Sequence, residues 1–587
     1  MLDQYREAVL VDFEFSQPDG ETVQRIDCVV VHHLKAGTTT RLWANQLGPA
    51  PPYSTGPDTL FVAFNIVAEM SCHRALGWPM PARVLDLYAE YLAHRNMFRE
   101  EGVKTARASL IEALTHFGLD MIGADEKKAM IARIIVGPPY TPQEQADILD
   151  YCQSDVDALR RLLPAMLPYL EHRPALFRGR YMCAVAGMVG IGIPIDTASL
   201  ARLRQHWFAV QDRLIAEDNV AGVYEGRSFS GARFANFLVE NDIPWPCYAD
   251  GSLDLRKETF RDMANVPGAA VVAPLCRLRN SLSGLRLGIN ISVGSDGRNR
   301  ASLWPFRSVT GRNQPSSKSF IFGCARWLRG LIKPPPGQAI AYIDWKQQEF
   351  GIAAALSGDA AMQEAYKSGD PYLAFAKQAG AIPPDGTKNS HPEIRDLYKQ
   401  CVLAIQYGQK YKSLAVRITR PGLIDPERVA KDLLATHRRI YSKFWEWNDH
   451  FIETVTWNGT ARTVFGWSAR YIEGANLRSV ANYPMQGNGA SMMQVAACLA
   501  VERGIQVCAP VHDAFLICAP LERIDADVAA MQAAMAEASR AILDGFGLGT
   551  DTNVVRHPDR YMDSRNGSRA MWDRVWRMVK EEERKAA

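Results

Sequence analysis

Two aspartates far apart in the chain have the chemistry to work on one phosphate. Asp344 ends an apolar run in Ala341-Tyr-Ile-Asp-Trp-Lys-Gln-Gln-Glu-Phe350, and Asp513 sits in Val511-His-Asp-Ala-Phe515. Brought together by folding, they could hold a pair of Mg²⁺ ions, which stabilise the attacking and the leaving oxygen of a phosphoryl transfer. Between them, Arg395, Lys399, Leu403 and Tyr407 recur at steps of four. On a helix each such step drifts by about 40°, so the four side chains form one stripe. Its cations suit phosphates, and its Leu and Tyr suit a base and a sugar. The alternatives are turn aspartates with local hydrogen bonds and a basic helix whose side chains snorkel.

A second set lies near the start. Asp12 and Glu14 are two apart in Val9-Leu-Val-Asp-Phe-Glu-Phe15. On a strand both carboxylates point to the same face. Asn65 and Glu69 are four apart, as are Tyr151 and Asp155, and on helices each pair shares a face. The four acids and the tyrosine could converge on hard divalent cations such as Mg²⁺ or Mn²⁺. The metals would activate a water, and the Tyr151 hydroxyl could help position it against a phosphodiester. Each pair alone is weak: Asp-x-Glu also fits a solvent-facing strand edge.

The elements that must position these residues are readable. Ala8 to Phe15 reads as a strand. Thr141-Pro-Gln-Glu144 is a capping box with Pro at the first helical position, so a helix should run through Tyr151 and Asp155. Gln338 to Trp345 reads as a buried strand followed by a helix bearing Gln347 and Glu349. Val507 to Cys518 reads as two strands meeting at His512-Asp513. A buried charge is costly unless paired or metal-bound, so aspartates flanked by apolar strands call for a cation. His172-Arg-Pro-Ala is a candidate boundary, and Met571 to Ala587 reads as a charged amphipathic helix.

At 587 residues, several domains are expected. Apolar content of 47% and charged content of 22% are those of an ordinary globular protein. No apolar run approaches the ~18 residues of a membrane span, and the first residues lack a signal-peptide core. The eleven cysteines have no Cys-x-x-Cys pair, which suggests reduced thiols and a cytoplasmic location. Net charge is only +3. Two acid-free basic stretches stand out: Arg307, Arg312, Lys318, Arg326, Arg329 and Lys333, then Lys399, Lys410, Lys412, Arg417 and Arg420. Either could line a phosphate groove or form a solvated surface.

The second half resembles the family A DNA polymerases. Its motif A is matched by Asp344, Gln347 and Glu349. Motif B is matched by Arg395, Lys399, Leu403, Tyr407 and Gly408, and motif C by His512 and Asp513. Further matches are Thr310-Gly-Arg312, then Arg478, Asn482 and Gln486, and Gly192-Ile-Pro-Ile-Asp196 at the start of the thumb. The N-terminal set resembles the DnaQ-like 3′–5′ proofreading exonucleases. Departures are Glu69 in place of Asp, Ala514 in place of Glu, Leu403 where an aromatic residue is commoner, and Phe350-Gly351 where Arg often stands.

The resemblance implies a multidomain α/β and α+β protein, with an RNase H-like 3′–5′ exonuclease domain followed by a right-hand polymerase. The expected layout is exonuclease 1–172, thumb 173–300, palm 301–350 and 440–587, and fingers 351–439. It implies two Mg²⁺ per active site, with Mn²⁺ able to substitute. In the polymerase site Asp344, the Trp345 carbonyl and Asp513 would hold them; in the exonuclease site Asp12, Glu14, Glu69 and Asp155. Lys399 and Arg395 would meet the triphosphate, with Gln347, Leu403, Tyr407 and His512 around the dNTP. Glu349 would be the gate against a 2′-hydroxyl, and Leu403 implies poor acceptance of dideoxynucleotides. Arg312, Arg478, Asn482 and Gln486 would contact DNA. Expected partners are primer–template DNA and dNTPs, with a phage helicase, primase and single-strand binding protein around a monomer in a bacterial host's cytoplasm. No 5′-flap nuclease is expected. Rival readings are a single-subunit RNA polymerase, a nuclease whose second half only binds DNA, and a non-catalytic DNA-binding protein.

Overall fold

The computed structural model describes residues 1–98, 108–120, 124–219, 222–248, 250–256, 259–260, 263–264, 271–288, 291–418, 424–472, 474–563, 565 and 567–586. The chain forms two compact units. One comprises Met1–Ile191, Leu303–Gln314 and Ala341–Val554; the other comprises Gly192–Ser302, Pro315–Ile340 and Val555–Ala587.

The first unit opens on a five-stranded sheet of β1 (Glu7–Ser16), β2 (Arg25–His33), β3 (Thr38–Trp43), β4 (Thr59–Ala63) and β5 (Val84–Asp86), in the order β3-β2-β1-β4-β5. β1 runs antiparallel to β2 and parallel to β4. The central strand is buried along Ala8–Val11, as expected when helices cover a sheet. Those helices include α1 (Val67–Leu76), α2 (Leu87–Met97), α3 (Ala124–Val136) and α4 (Pro142–Met166). Thr141 caps α4 in the expected capping box: its hydroxyl accepts from the Glu144 amide, and Glu144 accepts from the Thr141 amide at 2.7 Å. α4 packs its apolar face (Ile148, Cys152, Val156, Leu159, Leu163) into the sheet's core.

One local expectation needs correction. Asn65 does not share a helical face with Glu69. It precedes α1 in a left-handed turn, φ 67°, where Asp86 accepts from the Asn65 and Ile66 amides at 3.0 Å each. His172-Arg-Pro, read as a candidate boundary, is helical. It opens α5 (His172–Ile191), because proline is compatible with a helix's first turn. α5 packs against β5 and α1.

A four-stranded sheet carries the second constellation. Its strands are β6 (Gln338–Trp345), β7 (Val507–Val511), β8 (Ala514–Pro520) and β9 (Thr550–Arg556), ordered β7-β8-β6-β9. β7 and β8 form the expected hairpin, with Val511 opposite Ala514; His512 turns it at φ 58°. Around this sheet lie α6 (Gln348–Ser357), α7 (Pro392–Gln406) and α8 (Leu477–Glu502). α8 packs against both α5 and α6.

In the second unit, Asp196 caps the helix Thr197–Gln205, accepting from the Ser199 amide at 3.0 Å. The expected terminal helix is α9 (Ser568–Ala586). Val555–Ala587 belongs to this second unit. The reason is the apolar face of α9, where Trp572, Val575, Trp576 and Val579 are buried and pack against Arg326–Leu331 and Trp207–Asp218. Among the described residues no disulfide joins the cysteines, and no helix is long and apolar enough to cross a membrane.

Candidate active site and an N-terminal carboxylate cluster

β6 ends beside the β7–β8 turn because β8 is its neighbour in the sheet. The Trp345 amide donates to the Asp513 carbonyl oxygen at 3.3 Å. This pairing carries Asp344 and Asp513, 169 positions apart in sequence (513 − 344), into one cleft of about 820 Å³. Its lining includes Arg312, Trp345, Gln347, Glu349, Arg395, Lys399, Leu403 and His512 as well as both aspartates. Ten of the predicted residues thus share one cavity.

Local geometry explains their aim. Gln347 adopts a left-handed conformation, φ 41°, that turns the chain from β6 into α6. Glu349 follows in the first turn of α6, half-buried, with Arg312 3.6 Å away. Burial raises the Glu349 pKa, and the Arg312 charge opposes that rise. Arg395, Lys399 and Leu403 lie along α7 as the four-residue spacing requires. Tyr407 is the C-terminal cap of that helix and sits outside the cleft lining. Gly408, at φ 69°, follows it, and a Cβ there would lie 3.3 Å from Arg478 Cγ. Arg478, Asn482 and Gln486 recur at steps of four on α8, also outside the lining. The Asn482 side-chain oxygen is buried with no hydrogen-bond partner.

The cleft also holds residues that motif reasoning passed over. Asp370 caps the helix Pro371–Gln378 and accepts from Arg395 Nε at 2.8 Å. Tyr372 places its ring 5.4 Å from the Arg395 guanidinium and 5.9 Å from Lys399 Nζ, distances at which a ring face attracts a cation. Lys388 and Asp551 complete the rim. The Asp370-Pro371 pair was a legible helix start; its contact with Arg395 was not. The basic stretches divide. Arg312 and Lys399 reach the cleft, whereas Arg329 is buried against Asp563 at 2.6 Å. Arg420 and the side chain of Arg417 lie outside the described residues.

The N-terminal acids also converge. Oxygens of Asp12 and Glu14 and the Cys152 sulfur lie within 4.8 Å of one another. The Asp12 pKa is pushed up to about 8 by burial and then by the Asp155 charge. Glu14 is raised by burial and by Asp12. Glu69, only 3% exposed, is raised by burial and by Asp12, and its Oε2 has no hydrogen-bond partner. Burial raises Asp155 too. Both Asp155 oxygens accept from Lys127 Nζ, at 2.8 and 2.9 Å. Tyr151 is one helical turn before Asp155 on α4, its pKa raised by burial and by Asp155. These crowded, desolvated carboxylates, one with an unpaired buried oxygen, offer donors that suit hard divalent cations, with the Cys152 thiol beside them.

Residues 322–546 match the model of DNA polymerase family A. DNA polymerase I of Aquifex aeolicus (strain VF5) is 23% identical over 381 residues, which cover 60% of this chain and 64% of that protein. The DNA polymerase of Escherichia phage T5 is 21% identical over 435 residues, 64% of this chain and 51% of that protein. The chain thus spans less than two thirds of the length of these relatives. A solved structure, the POL domain of Pol1 from M. smegmatis in complex with DNA primer-template and dNTP, has a TM-score of 0.69. It covers 94% of this chain and 95% of that chain at 18% identity, a likeness of fold. Most of the cleft's residues, both aspartates among them, fall inside the matched stretch, and the chain carries a family A DNA polymerase domain.

Proposed function

We propose that this chain is a template-directed, DNA-dependent DNA polymerase with an associated 3′–5′ proofreading exonuclease, serving phage genome replication in the host cytoplasm. The observation that carries the polymerase reading is the single cleft containing Asp344, Asp513, Arg395 and Lys399. Bound there, a pair of divalent ions would supply charge neutralisation and a polarised primer hydroxyl. The protein's share is positioning and electrostatics. Asp344, Asp513 and the Trp345 carbonyl would hold the ions. Lys399 and Arg395 would grip the triphosphate from α7, with Arg395 fixed by Asp370. Lys399 would also be placed to protonate the leaving pyrophosphate. Leu403 would pack on the sugar, and Tyr407 would stack near the templating base. Arg312 and Gln486 would sense minor-groove acceptors that base pairs share, with Arg478 and Asn482 along the DNA.

The exonuclease reading rests on the clustering of Asp12, Glu14, Glu69 and Asp155 around a Tyr151-bearing helix face. Tyr151 would orient a water for attack on the terminal phosphodiester. A labelled primer–template with Mg²⁺, with and without dNTPs, tests both activities on one gel. Asp344→Ala or Asp513→Ala is expected to abolish extension and leave 3′ degradation. Retained extension in either variant would overturn the metal assignment.

A further inference from the structure

The lysine on Asp155 is not part of the proposed exonuclease chemistry, yet it occupies the carboxylate that would complete the metal site. Lys127 stands in the first half of α3, a helix that packs against both α4 and β1. Its ammonium is shared between the two Asp155 oxygens at 2.8 and 2.9 Å, with the Tyr151 ring 5.4 Å away. The Lys127 side chain is 21% exposed and that of Asp155 11%. Its charge also reaches Asp12 and Glu14, favouring their ionised forms. A carboxylate that gives both oxygens to an ammonium has few lone pairs left for a metal. Meanwhile Asp12 and Glu14 lie together, and Glu69 Oε2 is buried without a partner.

We propose that Lys127 is a tethered cation that holds Asp155 in place of a divalent ion, so that metal loading of the N-terminal site requires Asp155 to exchange the ammonium for the metal. One positive charge on a flexible stem limits repulsion among four carboxylates when no metal is bound. Lys127 is thus a positioning residue that sets metal affinity. This inference rests on reading the cluster as a metal site.

The test is a Mn²⁺ titration of the full chain, followed by electron paramagnetic resonance of free Mn²⁺. Asp344→Asn and Asp513→Asn are present throughout to silence the other site. Lys127→Gln is expected to tighten Mn²⁺ binding by about tenfold, the scale on which partners of metal ligands act, and Lys127→Arg to stay near the parent. Equal or weaker binding by Lys127→Gln overturns the proposal. Asp12→Asn with Glu14→Gln separates the two readings. If Mn²⁺ binding, read as loss of the free-ion signal, survives that pair, the cluster is not the metal site and both readings fall. If binding is lost in that pair while Lys127→Gln changes nothing, only the lysine's role falls. A readout independent of any Lys127 variant is amine acylation followed by mass spectrometry. Mn²⁺ should raise Lys127 labelling as the ammonium is released, and unchanged labelling overturns the exchange.

Discussion

Glu349 shows how one side chain acquires its role from its surroundings. It sits on the first turn of α6, facing Arg312 across 3.6 Å, inside the cleft that holds both aspartates. In the proposed polymerase, a carboxylate there would crowd the sugar edge of a nucleotide held by α7, where a 2′-hydroxyl distinguishes RNA from DNA. Glu349→Ala is expected to relax ribonucleotide exclusion, raising rNTP incorporation in a primer-extension assay; unchanged incorporation would count against a gate at this position. Asp344, Glu349, Lys399 and Asp513 were legible because their spacing marks them whatever surrounds them. Lys127, Tyr372 and Lys388 were not. A lysine or tyrosine between ordinary neighbours carries no pattern, and its contact is made by a separate element.

At the scale of elements, close approach decides what the helices can tolerate. α5 runs against β5 so tightly that a Cβ on Gly179 would overlap the Val84 carbonyl oxygen, a backbone atom. Beside it, Arg178 and Glu90 form a two-bond ion pair at 2.6 Å, 7% and 2% exposed. Gly179→Ala is expected to cost about 3 kcal/mol, read as a lowered melting temperature and faster proteolysis within Met1–Ile191. In the second unit Arg329 and Asp563 form another buried pair. Burial raises the Asp563 pKa, but hydrogen bonds from Arg565 and the charges of Arg565 and Arg329 outweigh it and lower the pKa to about 2. A depressed carboxylate pKa stabilises the fold above its ordinary range near 4, and that contribution disappears as pH falls through about 2. Asp563→Asn should therefore lower stability at neutral pH by about 3 kcal/mol, since Arg329 is left buried without its counter-charge. The difference from the parent should shrink toward pH 2 in matched thermal melts.

Over the whole molecule, the two carboxylate sets stand on different sheets, one on the five-stranded sheet with α1 and α4, the other on the four-stranded sheet with α6 and α7. Separate supports imply that the two proposed activities are separable. Asp12→Ala with Glu14→Ala is expected to end 3′ degradation while leaving primer extension at the parental rate, seen as full-length product persisting once dNTPs are exhausted. Loss of both activities together would show that the double variant damages the fold that α5 shares with both sheets.

The sequence by itself determined most local structure: the strand bearing Asp12 and Glu14, the capped helix bearing Tyr151 and Asp155, the hairpin at His512-Asp513, and the stripe along α7. Each follows from periodicity, capping and turn chemistry within a few residues. It did not determine that Asn65 leaves the helix, that His172 begins one, or that Arg329 is buried rather than facing phosphate. Those outcomes depend on Asp86, β5 and Asp563, each contributed by another element. Tertiary structure alone set the pairing of β6 with β8, which turns two distant aspartates into neighbours, and it put Lys127 on Asp155. Burial, charge balance and close approach belong to pairs of elements, and no window of one chain segment contains them.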